Sequence, residues 1–461
     1  MNISRLLLFR FVCAGLFVFA FCLLLSQSLA QTNNVTSAAV PANNSVTDDS
    51  VPQDIKDSLE AAAVAFNASR VADALDILKE VYAKHPEIVP PRMILAQWFA
   101  KANLVDAVRA NLEMGTDELP DDPEAYLLLA EFALRQHSLT AADLLLSKAW
   151  EKLEKYTVNP KRKEALESTC LRIMTDFCEA RQRWNTMEEI VDKRIKHDGE
   201  SPQLLRQKGI ALFRQKKEGE AKKFFVQADN IDASVEKKGL IADAILAQLY
   251  LAQGDNSKAR QILDAALKAN PNSKEIIALS IKVNLNDDKL EEAKPLAEKL
   301  LKDDPTSSSA KLLLATVALY MGDYAAAEKL FQELLLESPN DGQTQNGLAL
   351  ALCEQESPEK MRRALEYAIG NVRRNSNNTE ILATLGWVQF KAGQFEQAAN
   401  SLKLSASTGQ IKSATAYYLA CLAVKNGNTA EAKKLLQAAL SGDRQFAKRR
   451  EAAKLLEELS K

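Results

Sequence analysis

Few side chains in this sequence have the types and spacing that catalysis or metal binding needs. Its three histidines, His85, His137 and His197, are far apart, and no C-x-x-C pair or histidine at zinc-ligand spacing occurs. No serine or cysteine stands in a nucleophile elbow, and the phosphate-loop patterns G-x-x-x-x-G-K and G-x-G-x-x-G are absent. The sequence therefore predicts no catalytic residue, no metal site and no cofactor.

Acidic residues are numerous but are spread beside lysines along apparent helix faces, which is typical of a solvated surface. An enzyme built on helical repeats, with carboxylates contributed by neighbouring helices, stays open as an alternative. Cys170 and Cys178 are separated by about 12 Å of helical rise, beyond disulfide reach, so we predict buried free thiols.

The composition is that of an ordinary protein rich in helix formers. The chain has 461 residues and a formal net charge of −2, which gives no global attraction to nucleic acid. Two local basic clusters, Arg373-Arg374 and Lys448-Arg449-Arg450, lack interleaved aromatic residues. We predict that these clusters are solvated helix ends and that nucleic acid is not a partner.

The first thirty residues have the pattern of a secretory signal peptide. Arg5 and Arg10 precede an apolar run from Phe11 to Leu25. The stretch that follows ends at Ala30 and has the small residues typical of a cleavage site. The prediction is an exported protein, periplasmic or secreted, that meets the membrane only transiently. The alternative is an uncleaved segment that anchors the chain in the inner membrane, since Leu6 to Leu25 is nearly long enough to span a bilayer.

Residues 31–54 are rich in Asn, Ser and Thr and lack periodicity, which predicts a flexible polar linker. From residue 55 onward the sequence repeats itself. Ala259, Ala293 and Ala327 are 34 residues apart, and the same interval returns between Ala398 and Ala432. Such a period indicates an array of stacked supersecondary units.

The repeat frames cover residues 55–446 and are followed by a capping helix at 447–461. Short insertions separate some frames near 157–167, 236–239 and 356–360. The frames are 55–88, 89–122, 123–156, 168–201, 202–235, 240–273, 274–307, 308–341, 342–378, 379–412 and 413–446.

The frame at 379–412 shows the unit most clearly. Its recurrent positions are Leu382, Leu385, Gly386, Phe390, Gly393, Phe395, Ala398 and Leu402. Together with the 34-residue period, this pattern resembles the tetratricopeptide repeat. The resemblance implies an all-α fold, a right-handed superhelical solenoid of about eleven helix-turn-helix repeats. In each repeat, small residues let the first helix (A) approach the second (B), and Gly393 allows the positive φ that ends helix A.

The same resemblance implies that the A helices line a groove that binds partners. Carried over frame by frame, the predicted groove residues are Arg206, Phe213, Arg214, Leu319, Tyr320, Asn346, Cys353, Trp387, Phe390, Lys391, Tyr417 and Lys425. Aromatic rings beside cations suit an extended peptide. The functional hypothesis is a non-catalytic scaffold of the cell envelope that binds proteins or peptides. The alternative is a component of an envelope polysaccharide-export or outer-membrane assembly machine, held by an uncleaved N-terminal segment.

Overall fold

The computed structural model describes residues 52–232, 240–407, 411–441 and 446–461, and every regular element in these ranges is an α-helix. The predicted signal peptide, nearly all of the predicted linker and the insertion at 236–239 lie outside the described residues. None of the described helices is long and apolar enough to span a bilayer.

The chain divides into two compact units, Met1–Gly239 and Leu240–Lys461. In the described part of the first unit, successive helices pair as antiparallel A and B helices. They are α1 (Gln53–Asn67), α2 (Val71–Lys84), α3 (Pro91–Lys101), α4 (Val105–Glu118), α5 (Pro123–Arg135), α6 (Leu139–Lys155), α7 (Pro160–Ala180), α8 (Trp184–Asp198), α9 (Pro202–Arg214) and α10 (Glu218–Ile231).

The second unit continues the same pattern and adds one unpaired helix after the last described pair. Its helices are α11 (Leu240–Ala252), α12 (Asn256–Ala269), α13 (Lys274–Asn286), α14 (Leu290–Asp303), α15 (Ser308–Met321), α16 (Tyr324–Glu337), α17 (Gly342–Cys353), α18 (Pro358–Arg374), α19 (Thr379–Lys391), α20 (Phe395–Ala406), α21 (Ser413–Lys425), α22 (Thr429–Ser441) and α23 (Arg449–Ser460). The prediction of an all-α chain of consecutive helix pairs is confirmed.

Small residues at the A–B contacts explain why these helices pack so closely. Ten alanines mark the period on the B helices; Ala107 is half-buried, and the other nine are fully buried, namely Ala74, Ala142, Ala221, Ala259, Ala293, Ala327, Ala364, Ala398 and Ala432. A Cβ at Gly209 would lie 2.4 Å from the ring of Phe225 on helix B of the same repeat, and one at Gly347 would lie 2.4 Å from the ring of Phe331 on helix B of the preceding repeat. Helix A therefore rests directly on an aromatic ring of helix B.

The A–B turns contain residues with left-handed backbone conformations, and the two units supply them differently. In the second unit Gly254, Gly322, Gly393 and Gly427 have positive φ, and Asp288 has φ 58°. The φ of 77° at Gly393 confirms the role predicted for it. In the first unit all the positive-φ residues of these turns carry side chains: Ser69, Asn103, His137, Gln182 and Lys216.

Two predicted boundaries are wrong. Helix α1 begins at Gln53, within the predicted linker, because Pro52 directly precedes the first helical turn. The predicted insertion at 157–167 is largely helical, since α7 begins at Pro160 and its first turn is capped by Asn159, whose side chain accepts a hydrogen bond from the backbone N–H of Arg162.

Candidate partner-binding site

A buried carboxylate at the end of an A helix organises the candidate site. Glu354 follows α17, and its side chain is only 8% exposed. Its Oε1 accepts a hydrogen bond of 2.7 Å from the indole Nε1 of Trp387. Its Oε2 lies 3.1 Å from the Nζ of Lys391 and 3.1 Å from the Nζ of Lys448. Two cations and an indole therefore compensate the desolvation of this one charge.

Aromatic rings extend the site along α19 and α21. Trp387 stacks on Phe390 with ring centroids 5.4 Å apart, and on Tyr418 at 4.6 Å. Tyr417 lies 5.6 Å from Trp387 and 5.8 Å from Phe446, which belongs to the stretch before α23. Because rings bury large apolar areas with few rotatable bonds, this largely buried cluster is rigid.

Lys448 is the most deeply buried cation in the site. Its Nζ donates a hydrogen bond of 2.5 Å to the hydroxyl of Tyr324 and lies 3.1 Å from Glu451. Desolvation lowers the pKa of Lys448, but the charge of Glu354, the bond to Tyr324 and the charge of Glu451 outweigh it, so the pKa is raised. Only 8% of Lys448 is exposed, so the prediction that it belongs to a solvated helix end is wrong.

Arg450 contacts a hairpin that lies earlier in the sequence, the one formed by α13 and α14. Its guanidinium donates to both carboxylate oxygens of Asp288, at 3.2 and 3.0 Å, and to the backbone carbonyl of Asp288 at 3.1 Å. It also lies 3.2 Å from Glu291 at the start of α14. We call residues 446–450 the docked segment, because Phe446, Lys448 and Arg450 contact hairpins that precede the segment by up to 162 residues.

The structure brings together four of the predicted groove residues. Trp387, Phe390, Lys391 and Tyr417 form the site around Glu354, as described above. A fifth residue, Lys425, is adjacent: its ammonium lies 5.0 Å from the ring of Phe395, which is itself 5.6 Å from the ring of Phe390. Lys425 is exposed, whereas Trp387 and Tyr417 are 4% and 6% exposed.

The remaining second-unit predictions are embedded in the packing. Leu319 and Cys353 are buried in the core, and Tyr320 is half-buried against the same cluster. Burial, with a smaller effect of Glu380, raises the pKa of Tyr320 to about 12. Asn346 is half-buried, and its Oδ1 has no hydrogen-bond partner among the described residues. That these four side chains contact a partner stays a prediction.

In the first unit, the predicted groove residues make contacts within their own repeats or with a neighbour. Arg206 pairs with Asp229 at 3.3 Å and Asp232 at 2.9 Å. The Arg214 guanidinium lies 5.7 Å from the ring centroid of Trp184. Phe213 is a further predicted member, and it is 2% exposed. These contacts stabilise the repeats and leave the predicted binding role of the three residues untested.

Sequence reasoning missed Glu354, Tyr324, Phe446 and Lys448. A signal for the first was present, because Glu354 occupies in frame 342–378 the position that Lys391 occupies in frame 379–412. Opposite charges at equivalent positions of successive repeats lie close together, since the A helices of neighbouring repeats pack side by side. Within the described residues, no group of three or more His, Cys, Asp or Glu side chains could hold a metal ion.

Comparison with known proteins identifies the repeats. Residues 242–283 and 285–351 match tetratricopeptide repeat families. These two stretches of the chain therefore consist of tetratricopeptide repeats. Such arrays are protein–protein interaction scaffolds, which use the surface formed by their stacked units, and this chain has that architecture. No curated protein sequence matches the chain.

Several solved structures are similar to this chain at low sequence identity. A tetratricopeptide repeat protein from Parabacteroides merdae is 12% identical, with a TM-score of 0.44, over 56% of this chain and 99% of that one. A thermophilic protein of Thermus thermophilus is 22% identical, with a TM-score of 0.32, over 37% and 90%. PilF of Pseudomonas aeruginosa is 19% identical, with a TM-score of 0.33, over 48% and 96%.

Proposed function

We propose that this tetratricopeptide repeat protein is an exported, non-catalytic scaffold of the cell envelope that binds partner peptides or subunits at the A-helix surface of its second unit. One observation carries the proposal: Glu354, Trp387, Lys391 and Tyr417 form an aromatic and ionic surface that binds a stretch of chain outside the hairpins that build it. Surfaces with rigid rings and desolvated charge pairs are where binding energy concentrates in protein interfaces.

Export is supported by the basic residues, apolar run and small-residue exit of positions 1–30. Under this proposal, N-terminal sequencing of the mature protein from an envelope fraction gives Gln31 as the first residue. A mature chain that still begins at Met1 would reject cleavage. That result would favour the second proposal, an anchored component of an export or assembly machine, for which the apolar run ending at Leu25 is the supporting observation.

Partner binding is tested by placing a photo-crosslinking amino acid on each side of a repeat in living cells. Lys425 is an exposed groove position beside the aromatic cluster, and Leu336 on helix B is 85% exposed and serves as the matched control. The proposal expects a discrete crosslinked partner from position 425 and none from position 336. Equal adducts from both positions, or none from position 425, would reject the A-helix surface as the binding face.

A further inference from the structure

The docked segment differs from the repeats around it. It carries an aromatic residue, Phe446, then Lys448 two positions later and Arg450 two positions after that. Each of these side chains reaches a different hairpin of the second unit: Tyr417 on α21, Glu354 after α17, and Asp288 before α14. The segment therefore contacts side chains contributed by several repeats at once, as a ligand on the extended binding surface of a repeat array does.

The receiving surface is chemically selective. Glu354, Asp288 and Glu291 supply three carboxylates, and Tyr324 supplies a hydroxyl and a ring whose centroid is 4.9 Å from the Lys448 ammonium. The buried carboxylate of Glu354 needs cationic donors, and the face of the Tyr324 ring attracts an ammonium ion. A peptide with acidic residues at these places would add like charges to the site and would be repelled.

The contacts made by the segment are unequal in strength. Lys448 is nearly buried, but Arg450 is 49% exposed and Glu291 is 67% exposed, so solvent screens that ion pair. Glu354 keeps Trp387 and Lys391 as partners when Lys448 leaves. The carboxylate is therefore never left without a counter-charge, and the site remains intact when it is emptied.

We propose that this surface is a receptor site for a basic peptide with the pattern aromatic-x-Lys-x-Arg, and that residues 446–450 are its resident ligand, displaced by a partner segment of the same chemistry. The proposal deepens the scaffold function proposed above and rests on it. A partner that brings a ring to Tyr417, an ammonium to Glu354 and a guanidinium to Asp288 reproduces every contact that the docked segment gives up. Exchange then costs the array no unpaired buried charge.

A permanent structural cap is the competing explanation. Ala452, Leu455, Leu456 and Leu459 join the apolar cluster of the second unit, so the part of α23 that follows Arg450 packs against the array through side chains of its own. A cap would be held as one piece and would not exchange with free peptide. The experiment must therefore empty the site without removing α23.

The test uses the full chain and a fluorescent peptide with the sequence of residues 446–452, FAKRREA, acetylated and amidated at its ends. The double variant Lys448→Ala, Arg450→Ala removes the resident side chains and leaves their acceptors in place. Fluorescence anisotropy is expected to show binding to this variant about tenfold or more tighter than to wild type, because the wild-type site is mostly occupied. Equal affinities, or no binding to the double variant, would overturn the proposal.

Two controls establish that the peptide occupies the proposed site. A peptide with glutamate in place of its lysine should lose binding, and adding Glu354→Gln to the double variant should weaken the native peptide about tenfold. Retained binding in either control rejects Glu354 as the acceptor. Circular dichroism verifies that each variant is folded.

A second measurement needs no substitution. Hydrogen exchange in the wild-type chain should show that excess peptide lowers the protection of residues 446–450, while the helices α19 and α21 stay protected. Unchanged protection at saturating peptide would contradict displacement. If the peptide binds in solution but position 425 gives no crosslink, the envelope scaffold is rejected and this site is kept. If position 425 gives a crosslink but the peptide does not bind, only this site is rejected.

Discussion

Two buried charge clusters, one in each unit, have similar burial and different connectivity. In the first unit, Arg162 donates to Asp122 at 2.7 and 3.0 Å, to Glu124 at 2.7 Å and to the hydroxyl of Tyr156 at 2.7 Å. None of its partners is more than 40 residues away. In the second unit, Lys448 reaches Tyr324 across 124 residues.

The central cations of the two clusters are equally buried, since the side chains of Arg162 and Lys448 are each 10% exposed. The difference lies in which parts of the chain they join. Arg162 connects α7 to the start of the preceding hairpin, so its cluster forms whenever neighbouring repeats stack. Lys448 connects a stretch outside the hairpins to several of them. We infer that the first cluster is a fixed part of the repeats and the second is a contact that exchanges.

The largest effect should come from breaking the first cluster. Arg162→Met leaves Asp122 and Glu124 buried without their counter-charge, and we expect the first unit to lose about 3–5 kcal/mol of stability. Urea unfolding measures the loss, and Arg135→Met is the control, since Arg135 is 58% exposed in an i,i+4 pair and should change stability by less than about 0.5 kcal/mol. A loss as small as the control's would remove the distinction between the clusters.

Matched glycine substitutions test whether the two units are otherwise equally packed. Gly209→Ala places a Cβ 2.4 Å from Phe225 and Gly386→Ala places one 2.6 Å from Leu402, in each case on helix B of the same repeat, so we expect each to cost about 1–3 kcal/mol. Gly219→Ala in α10 meets nothing within 4 Å and should be neutral or stabilising by up to about 1 kcal/mol. Thermal unfolding measures all three. Unequal costs at positions 209 and 386 would show that packing also distinguishes the units.

Removing the inserted lysine should have a smaller and more local effect. Lys448→Ala leaves Glu354 paired with Lys391, so we expect a loss of about 1 kcal/mol in global stability. Hydrogen exchange should show faster exchange in residues 446–450 than in wild type. Lys454→Ala, at a site 78% exposed, is the control and should change neither quantity. If Lys448→Ala caused global unfolding, the second cluster would be as important for the stability of the fold as the first.

The smallest effect concerns a surface contact of the first hairpin. His85 contacts Asp54 at 3.1 Å and Glu87 at 3.2 Å, and these hydrogen bonds, Asp54 first, raise the pKa of the imidazole. Its contribution to stability is therefore fully present below the unfolded pKa of about 6.5 and is lost as the pH rises through the higher folded pKa. His85→Gln should remove this pH dependence, measured by urea unfolding from about pH 6 upward. A variant with the wild-type pH profile would contradict it.

The period of the sequence determined the local features that could be predicted. Ala398 and its equivalents are buried, Gly393 turns the chain, and Trp387 lies beside Tyr417, because each of these depends on a residue's own repeat or the next one. The contacts of Lys448 and Arg450 depend on the path that several repeats take together. That path follows from small rotations between successive units, which the repeat pattern does not specify.

Arg162 was missed for a different reason. It lies in residues that the period left outside the frames, so no repeat position suggested a partner for it. Helix α7 begins at this point because Asn159 and Pro160 favour the start of a helix, although the 34-residue period does not place one here. Insertions in repeat arrays are therefore places where capping residues give more information than periodicity does.

The left-handed turns have a consequence for the order in which the protein comes apart. A side chain in the left-handed region costs about 1–2 kcal/mol that glycine does not, and Ser69, Asn103, His137, Gln182 and Lys216 add this cost to five turns of the first unit. Because repeat stabilities add along an array, replacing any one of these residues by glycine should raise the stability of the first unit. In the natural sequence these residues favour unfolding that begins in the first unit. At moderate temperature or denaturant concentration, the receptor site in the second unit would therefore stay folded after the first unit had unfolded.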